Sequence, residues 1–490
     1  DVYKRQDDSI QVGPLYSYTY DALNRVDVTT VSYVPGGNRT LDYGYDRYGN
    51  RDSLAFTDGS ALNHSYTYDK RNRLTNAVLP GSQAFSLTYY PSGELQQMSY
   101  PNGVTSDYVY ESNGPVQSIT VAGAAGTIEQ FNYTYDDVLN VDTQTDGDGL
   151  HDYGYDGLYR LTQANHPAST GLTSENYAYD LVGNREDSAD TALYDYDDNN
   201  RILQSPDLTY TFDADGNMTS RSDGATLAFS KNNRLVQFSK GGTTASYAYD
   251  PMGRRISKTV NGTTTWFLWD GSKLLAEFNG AGIRSKRYAY RPRQYLPSQM
   301  EDANGIYAVH GNHLQTPRFL TDVGQQVVWR SVYDVFGRAS VEENPDADAN
   351  AIVFNLRFPG QYLDETSGLS YNYFRYFDVT TGRYLTADTN GLMGGINLYS
   401  YALQNPLKYT DPRGEIPVLA VALPVIGGLV TGASNAFFES RSCDADFWDI
   451  DRDGVRGFFA GFVGTGEAMA IGPMVLGLFG VGGGTLGAVS

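Results

Sequence analysis

The chain has 490 residues and a formal net charge of −21, which opposes binding to a phosphate backbone, so we expect no nucleic-acid partner. A single cysteine, Cys443, excludes a disulfide scaffold and a metal site built from several cysteines. The length allows a large core or an enclosing wall. The chain opens without Met and without a charged-then-apolar leader, which is typical of a fragment of a longer protein.

A short aromatic and acidic phrase recurs from the start of the chain to about residue 250. It reads Tyr-x-Tyr-Asp, followed by Gly or Asn and often by Arg, as in the stretch from Tyr43 to Arg51. Most neighbouring copies are roughly 16–25 residues apart, a period typical of repeat architectures. One such unit cannot bury its apolar face alone, so neighbouring units must stack. The anchoring aspartates are Asp21, Asp46, Asp69, Asp136, Asp156, Asp180, Asp197, Asp213 and Asp250.

Residues 1–300 are predicted to form strands joined by tight turns, without a long amphipathic helix. The two tyrosines of each phrase lie on one side of a strand with period two, and the aspartate opens the turn. Asp and Asn bond their own backbone in turns, and Gly or Asn tolerates positive φ. The run from Asp142 to Asp152, which contains Asp146 to Gly149, is predicted to be a solvated turn rather than a metal site.

The sequence motifs of residues 301–415 are denser and less periodic than those of residues 1–300. The spacing of His310 and His313 suits a metal, but no acidic or Cys pattern accompanies them, so we predict a structural role. A calcium-like loop begins at Asp449, but its twelfth position is Ala460, where a bidentate Glu is required. We therefore expect no metal and no other cofactor.

Residues 416–490 differ sharply in composition from the rest. The runs 416–438 and 468–490 carry no charge and are rich in Gly, and a polar segment separates them. Each run is long enough to span a bilayer, and Gly suits close helix packing there. One interpretation is a membrane-inserting hairpin; the other is a Gly-rich linker or hydrophobic cargo folded inside a shell.

Nine segments carry a resemblance to a known family: 310–318 (HGNHLQTPR), 333–338 (YDVFGR), 358–364 (FPGQYLD), 368–371 (GLSY), 375–378 (RYFD), 382–388 (GRYLTAD), 397–401 (NLYSY), 405–406 (NP) and 411–414 (DPRG). With the Tyr-Asp phrases, they resemble RHS proteins, which combine YD repeats with an RHS repeat-associated core. Such proteins occur among bacterial polymorphic toxins, in the C subunits of insecticidal toxin complexes and, more distantly, as teneurins. The resemblance covers nearly the whole chain up to the C-terminal segment, and ordered motifs of this length are specific.

The resemblance implies an all-β fold, in which a ribbon of YD-repeat strands winds in a spiral into a hollow shell. The residues agree with this fold, because winding a long sheet on itself reduces its exposed edges. We expect a shell at 1–300, an RHS-associated core that closes one end at 301–415, and a variable, hydrophobic C-terminal segment at 416–490. That last segment would be cargo or a membrane-inserting element, and helices are one option for it.

The resemblance also implies an aspartyl autoprotease in the core. The residues aligned with its active site are Arg375, Asp388 and Asp411, and cleavage is expected between Glu415 and Ile416. Two carboxylates that share a proton have pKa values forced apart, so one draws a proton from water while the other polarises the scissile carbonyl. Arg375 would hold one carboxylate or stabilise developing negative charge. Glu415 replaces the family's Leu and adds a third carboxylate. Without the resemblance, the two aspartates are ordinary turn residues.

The favoured function is a shell that encapsulates a toxin segment and releases it by cleaving itself in cis. The main alternative is a non-catalytic YD-repeat surface protein for adhesion or carbohydrate binding; a glycosidase with paired carboxylates is the weakest hypothesis. The expected partners are the chain's own C-terminal segment, secretion or toxin-complex machinery, a membrane at 416–438 and 468–490, and carbohydrate. The expected location is secreted or on a bacterial cell surface.

Overall fold

The computed structural model describes residues 15–57, 61–186, 194–415 and 417–419. These residues lie in one compact unit, Asp1–Gly432, and the second unit, Ala433–Ser490, falls outside the described residues. The described part contains β-strands and short 3-10 turns but no α-helix, and none of its helical turns is long and apolar enough to cross a membrane. The predicted spans 416–438 and 468–490 lie outside this part, apart from 417–419.

The first sheet is an antiparallel meander of fifteen strands, each paired with its neighbours in sequence. Its strands are β1 Tyr16–Tyr20, β2 Val26–Val31, β3 Arg39–Tyr45, β4 Arg51–Thr57, β5 Ala61–Tyr68, β6 Leu74–Leu79, β7 Gln83–Tyr89, β8 Leu95–Ser99, β9 Thr105–Tyr110, β10 Val116–Gly123, β11 Gly126–Tyr135, β12 Val141–Asp146, β13 Gly149–Tyr155, β14 Leu161–Asn165 and β15 Glu175–Asn176. Side chains alternate between the faces, as in β11, where Phe131 and Tyr133 are buried and Gln130 and Asn132 are exposed.

The Tyr-Asp phrase builds the turns of this sheet, as its copy at Asp69 illustrates. Asp69 Oδ1 accepts hydrogen bonds from the backbone N–H groups of Arg71 at 2.8 Å and Arg73 at 3.0 Å. Arg73 Nε donates to Asp69 Oδ2 at 2.8 Å, and Asn72 supplies the positive φ of 57°. The Tyr68 hydroxyl donates to a backbone carbonyl of the preceding repeat at 2.7 Å. The predicted strand–turn–strand unit is therefore confirmed, and its second tyrosine fastens one unit to the next.

Two short strand pairs lead from the first sheet to a second meander of fourteen strands. The pairs are β16 Ala178–Tyr179 with β17 Arg185–Glu186, and β18 Asp195–Tyr196 with β19 Ile202–Gln204. The second sheet comprises β20 Tyr210–Phe212, β21 Met218–Arg221, β22 Thr226–Phe229, β23 Leu235–Lys240, β24 Thr243–Tyr249, β25 Arg255–Val260, β26 Thr263–Asp270, β27 Lys273–Phe278, β28 Arg284–Ala289, β29 Gln299–Glu301, β30 Ile306–Gly311, β31 Pro317–Thr321, β32 Val327–Tyr333 and β33 Ala339–Glu342. β29 spans position 300, so this sheet continues across the boundary that the sequence predicts between shell and core. That boundary stays a prediction.

The second sheet packs alongside the first, and its strands advance in the same direction along the ribbon. The Tyr33 hydroxyl donates to the Phe267 carbonyl at 2.8 Å, a contact between residues 234 apart in sequence. The Tyr66 hydroxyl likewise donates to the Tyr290 carbonyl at 3.1 Å, across 224 residues. Contacts at so regular a separation mean that the ribbon of strands makes a full turn and packs against itself, as a spiral requires.

The segment after β33 packs against both sheets. Its strands are β34 Tyr362–Asp364, β35 Leu369–Asn372, β36 Arg375–Asp378, β37 Arg383–Tyr384, β38 Tyr409–Thr410 and β39 Val418–Leu419, and the 3-10 turns of the described residues are Ala168–Thr170, Gly391–Gly394 and Ala402–Gln404. Asp364 is buried and pairs with Arg255 and Lys258 of the second sheet, at 2.8 Å each. Asn405 Nδ2 donates to Asn140 Oδ1 in a turn of the first sheet at 3.0 Å. The segment is thereby fixed to the wall by polar contacts on two sides.

Candidate active site

Arg375, Asp388 and Asp411 meet in the interior of the segment that follows β33. Arg375 begins β36, Asp388 follows β37, and Asp411 follows β38. Arg375 Nη2 lies 2.8 Å from Asp388 Oδ2 and 3.2 Å from Asp411 Oδ2, so one nitrogen bridges the two carboxylates. The three side chains are only 2–3 % exposed. The structure thus brings together all three residues that the sequence pointed to as catalytic.

Arg375 is held by more than the two carboxylates. Its Nε donates to the Gly414 carbonyl at 2.6 Å, and its Nη1 donates to the Leu398 carbonyl at 3.0 Å. Its guanidinium lies over the ring of Tyr384, with Arg375 Cζ 3.6 Å from the ring centroid. A planar guanidinium fixed on this many sides is pre-organised, since little freedom is left for it to lose.

Asp411 opens the turn Asp-Pro-Arg-Gly and is surrounded by donors. Its Oδ1 accepts the backbone N–H of Glu415 at 2.9 Å, and its Oδ2 accepts the Tyr384 hydroxyl at 2.8 Å as well as Arg375. Asn372 Nδ2 donates to the Asp411 backbone carbonyl at 2.8 Å and fixes the turn. Three donors directed at the two oxygens suit an ionised carboxylate.

Asp388 has a different environment. Its Oδ1 accepts the backbone N–H of Asn390 at 2.7 Å, and its Oδ2 faces Arg375. Burial raises the pKa of Asp388 to about 6 against the opposing charge of Arg375, and the charge of Asp411 adds to the increase. The two carboxyl groups therefore differ in their surroundings, and the raised pKa of Asp388 favours its protonated form.

The backbone carbonyl of Glu415 and the carboxyl group of Asp388 both lie close to Gly394. A Cβ placed on Gly394 would stand 2.4 Å from Asp388 Oδ2 and 3.0 Å from the Glu415 carbonyl oxygen. The absence of a side chain at Gly394 thus leaves room for the carboxyl group and the carbonyl to approach. Glu415 is itself buried and lies in the loop between β38 and β39, which pair antiparallel. Ile416, the other side of the predicted cleavage site, lies outside the described residues.

Tyr384 is the site residue that sequence reasoning missed. Burial and the neighbouring charge of Asp411 raise the pKa of Tyr384 well above its usual range, so its hydroxyl stays a donor. Asn372 Nδ2 in turn donates to the Tyr384 oxygen at 2.8 Å. The sequence did contain a signal for Tyr384, because this residue stands four residues before Asp388 in the same motif of the family.

The two histidines weighed as metal ligands are engaged elsewhere. His310 Nε2 bonds Thr321 Oγ1 at 2.9 Å, and His313 Nε2 bonds the Leu407 carbonyl at 3.2 Å. Burial lowers the pKa of His310 to about 3 and that of His313 to about 4, so both are neutral. Across the part of the chain that the structure describes, no group of three or more His, Cys, Asp and Glu residues could hold a metal ion.

Comparison with curated proteins finds several longer relatives. The chain is 27% identical over 465 residues to double-stranded DNA deaminase toxin A of Burkholderia cenocepacia, an alignment that covers 80% of this chain and 32% of the relative. It is 32% identical over 257 residues to toxin protein Tse5 of Pseudomonas aeruginosa, covering 43% and 19%. The probable deoxyribonuclease RhsB of Dickeya dadantii is 26% identical, covering 78% and 28%. The chain spans about a third or less of the length of these relatives.

Solved structures give the same fold. The TcdB2-TccC3 complex without its hypervariable C-terminal region superposes with a TM-score of 0.67 at 18% identity, covering 81% of this chain and 23% of that one. The TcdB2-TccC3 complex itself gives a TM-score of 0.66 at 18% identity, covering 81% and 24%. The predicted all-β YD-repeat shell is therefore confirmed. A family model, the teneurin YD-shell, matches residues 150–407. Since this match spans more than half of the chain, the chain belongs to the teneurin YD-shell family, the RHS and YD-repeat shell proteins.

Proposed function

We propose that this chain is the shell and core of an RHS-type toxin, and that it releases its own C-terminal segment by aspartyl self-cleavage between Glu415 and Ile416. The observation that carries the proposal is the bridge from Arg375 to Asp388 and Asp411, in a buried site that also contains the Glu415 carbonyl. The relatives named as toxins support a shell that carries a toxin.

The two carboxyl groups take complementary parts in the hydrolysis. Asp388, whose pKa is raised to about 6, enters protonated and gives its proton to the Glu415 carbonyl oxygen. Asp411 enters ionised and takes a proton from the attacking water, which adds to the Glu415 carbonyl carbon. Collapse of the intermediate breaks the C–N bond: Asp411 passes the proton it took from water to the nitrogen of Ile416, which leaves as an amine, and the intermediate returns a proton to Asp388. Glu415 becomes the new C-terminal carboxyl group.

Arg375 and Tyr384 keep the roles of acid and base on different carboxyl groups. Both donate to Asp411 Oδ2 and so stabilise its ionised form. Arg375 also stabilises the charge that develops beside Asp388 in the transition state, without reorganising, because its other nitrogens are already bonded.

The segment from residue 416 onward is the proposed cargo. No particular toxic activity is proposed for it, because the names of the relatives give different activities. The likeness to TcdB2-TccC3 supports toxin-complex machinery as the partner that delivers the chain. Delivery of this kind supports a secreted or bacterial cell-surface location.

The test is intact-mass spectrometry of the purified chain under denaturing conditions, beside Asp388→Asn and Asp411→Asn. We expect the wild-type chain to give two fragments that join at Glu415 and Ile416, and both variants to stay whole. Wild-type chain that stays whole would favour a non-catalytic YD-repeat surface protein; fragments from both variants would point to a contaminating protease.

A further inference from the structure

We propose that the site is built for an acidic residue on the carbonyl side of the scissile bond, and that Arg413 determines this specificity. The inference rests on the proposed self-cleavage and names the class of peptide bond that it takes. It concerns the side chain of Glu415, which is the residue that loses its peptide bond.

Glu415 does not project into solvent. It is 7% exposed as a whole, and its carboxylate Oε2 lies 3.5 Å from Arg413 Nε. The two side chains are 10% and 16% exposed, so the pair is largely shielded from water. A carboxylate buried to this degree is stable only when it is paired, because desolvation of an unpaired charge costs several kcal/mol by general estimate. The cationic side chain beside Glu415 therefore makes an acidic residue acceptable at this position.

Arg413 is positioned before any cleavage takes place. Its guanidinium packs on two rings, with Arg413 Cζ 5.0 Å from the Tyr373 centroid and 5.2 Å from the Phe374 centroid. Its carbonyl accepts the Phe374 backbone N–H at 3.1 Å. The platform itself is anchored, since Arg234 Nη1 donates to the Phe374 carbonyl at 2.6 Å.

The platform belongs to the same hairpin as the catalytic arginine. Tyr373 and Phe374 form the turn between β35 and β36, and Arg375 is the next residue. The turn at Gly414 fits tightly against this hairpin: it has a φ of +67°, and a Cβ there would come within 2.7 Å of the Asn372 carbonyl oxygen. One rigid hairpin thus sets the position of both the catalytic Arg375 and the specificity residue Arg413 relative to the scissile bond.

The experiment follows cleavage during cell-free synthesis of the full chain, in five forms: wild type, Arg413→Ala, Glu415→Gln, Glu415→Leu and the double variant Arg413→Ala/Glu415→Gln. We expect Arg413→Ala to cleave about ten-fold more slowly, because it removes the positive charge that faces the buried carboxylate of Glu415. The double variant should recover most of the rate, since a neutral amide does not need the arginine. Arg338→Ala is the matched control. It removes an arginine from an ion pair with Asp334 that is distant in sequence from Glu415, and the Arg338 side chain is 63% exposed.

Each result either supports or overturns the proposed specificity for an acidic residue. Cleavage of Arg413→Ala at the wild-type rate, or a double variant as slow as Arg413→Ala, would overturn the inference while the self-cleavage stands. Cleavage of Glu415→Leu in a chain whose wild type stays whole would also overturn it, because Glu415 would then be the obstacle and the two aspartates would still be competent. Failure of both the wild type and Glu415→Leu to cleave would remove the proposed function and the inference together.

Discussion

The guanidinium of Arg375 lies against the ring face of Tyr384, 3.6 Å from the centroid, and both side chains donate to Asp411 Oδ2. The ring therefore sets the plane of the arginine while its hydroxyl shares the same acceptor. This arrangement fixes Asp411 from two directions and leaves Asp388 with the arginine and one backbone donor. The difference between the two carboxyl groups thus depends on Tyr384 as well as on Arg375.

Replacement of Tyr384 by Phe separates the two contributions of the tyrosine. The ring that supports Arg375 remains and the donor to Asp411 is lost, so we expect self-cleavage to slow by about ten-fold, the effect of one hydrogen bond to a charged group. The measurement is the rate of fragment formation in cell-free synthesis. Tyr89→Phe is the control, since it removes a hydroxyl that donates to a backbone carbonyl, that of Leu74, in the first sheet. Equal rates for Tyr384→Phe and wild type would show that the hydroxyl is dispensable.

The pH dependence of cleavage should follow Asp388. Its pKa is raised to about 6, so the protonated acid is abundant below that pH and the cleavage rate should fall as pH rises above it. The same sign applies to stability: the contribution of the protonated carboxyl is complete below the ordinary pKa of 3.8 and is lost as pH rises through about 6. The measurement is fragment formation between about pH 5 and pH 8, a range chosen around this pKa.

Asp334 provides the control for this titration. Burial and the charge of Glu175 raise the pKa of Asp334 to about 6 as well, but it lies in the turn after β32 and pairs with Arg338. Asp334→Asn should leave the pH profile of cleavage unchanged. A flat wild-type profile, or one that shifts with Asp334→Asn, would contradict the assignment of Asp388 as the acid.

Removal of Asp364 should destabilise the attachment of the core to the wall. The variant Asp364→Ala leaves Arg255 and Lys258 without the carboxylate that each meets at 2.8 Å, and loss of one partner from a buried pair costs about 3–5 kcal/mol of unfolding free energy. Urea unfolding of the chain measures this loss. Lys240→Ala breaks a more exposed pair, with Asp223, in which the two side chains are 44% and 21% exposed, and should cost no more than about 1 kcal/mol. Similar losses for the two variants would mean that the buried pair contributes no more than an exposed one.

The pH dependence of Asp364 has the opposite sign to that of Asp388. Burial alone would raise the pKa of Asp364, but Arg255 and Lys258 hold it below its ordinary value of 3.8. Its contribution to stability is therefore present above that pH and is lost as the pH falls. Acid unfolding curves of the wild type and Asp364→Ala should converge at low pH.

The sequence was sufficient to predict those parts of the fold that residues close together in the chain determine. The Asp69 turn follows from the hydrogen-bonding habits of Asp and from a positive φ at Asn72, both of which act within five residues. The pairing of Asp388 with Asp411 needed the family resemblance, because two Asp residues 23 apart say nothing by themselves about a shared site. Their meeting depends on where β37 and β38 pack, which spacing does not encode.

Contacts between successive turns of the spiral were beyond sequence reasoning. The run from Asp142 to Asp152 was predicted to be a solvated turn, but Asp146 is 8% exposed and its Oδ2 lies 3.1 Å from Nη2 of Arg318, 172 residues further along. That prediction was wrong for Asp146, because the second sheet covers this end of β12. Tyr384 and Gly394 went unnoticed for a similar reason: their importance lies in neighbours that only the fold supplies.

Substitution of Gly394 by Ala tests whether the geometry at the scissile carbonyl matters. The added Cβ would stand 2.4 Å from Asp388 Oδ2 and 3.0 Å from the Glu415 carbonyl oxygen, so one of the two groups has to move away. Displacement at a reacting centre slows catalysis far more than it affects folding, and we expect a loss of about 100-fold in cleavage. Fragment formation and thermal unfolding are measured together, with Gly157→Ala as control, since a Cβ at that turn meets no atom within 4 Å. Cleavage of Gly394→Ala at the wild-type rate would contradict a reaction in which Asp388 protonates the Glu415 carbonyl next to Gly394.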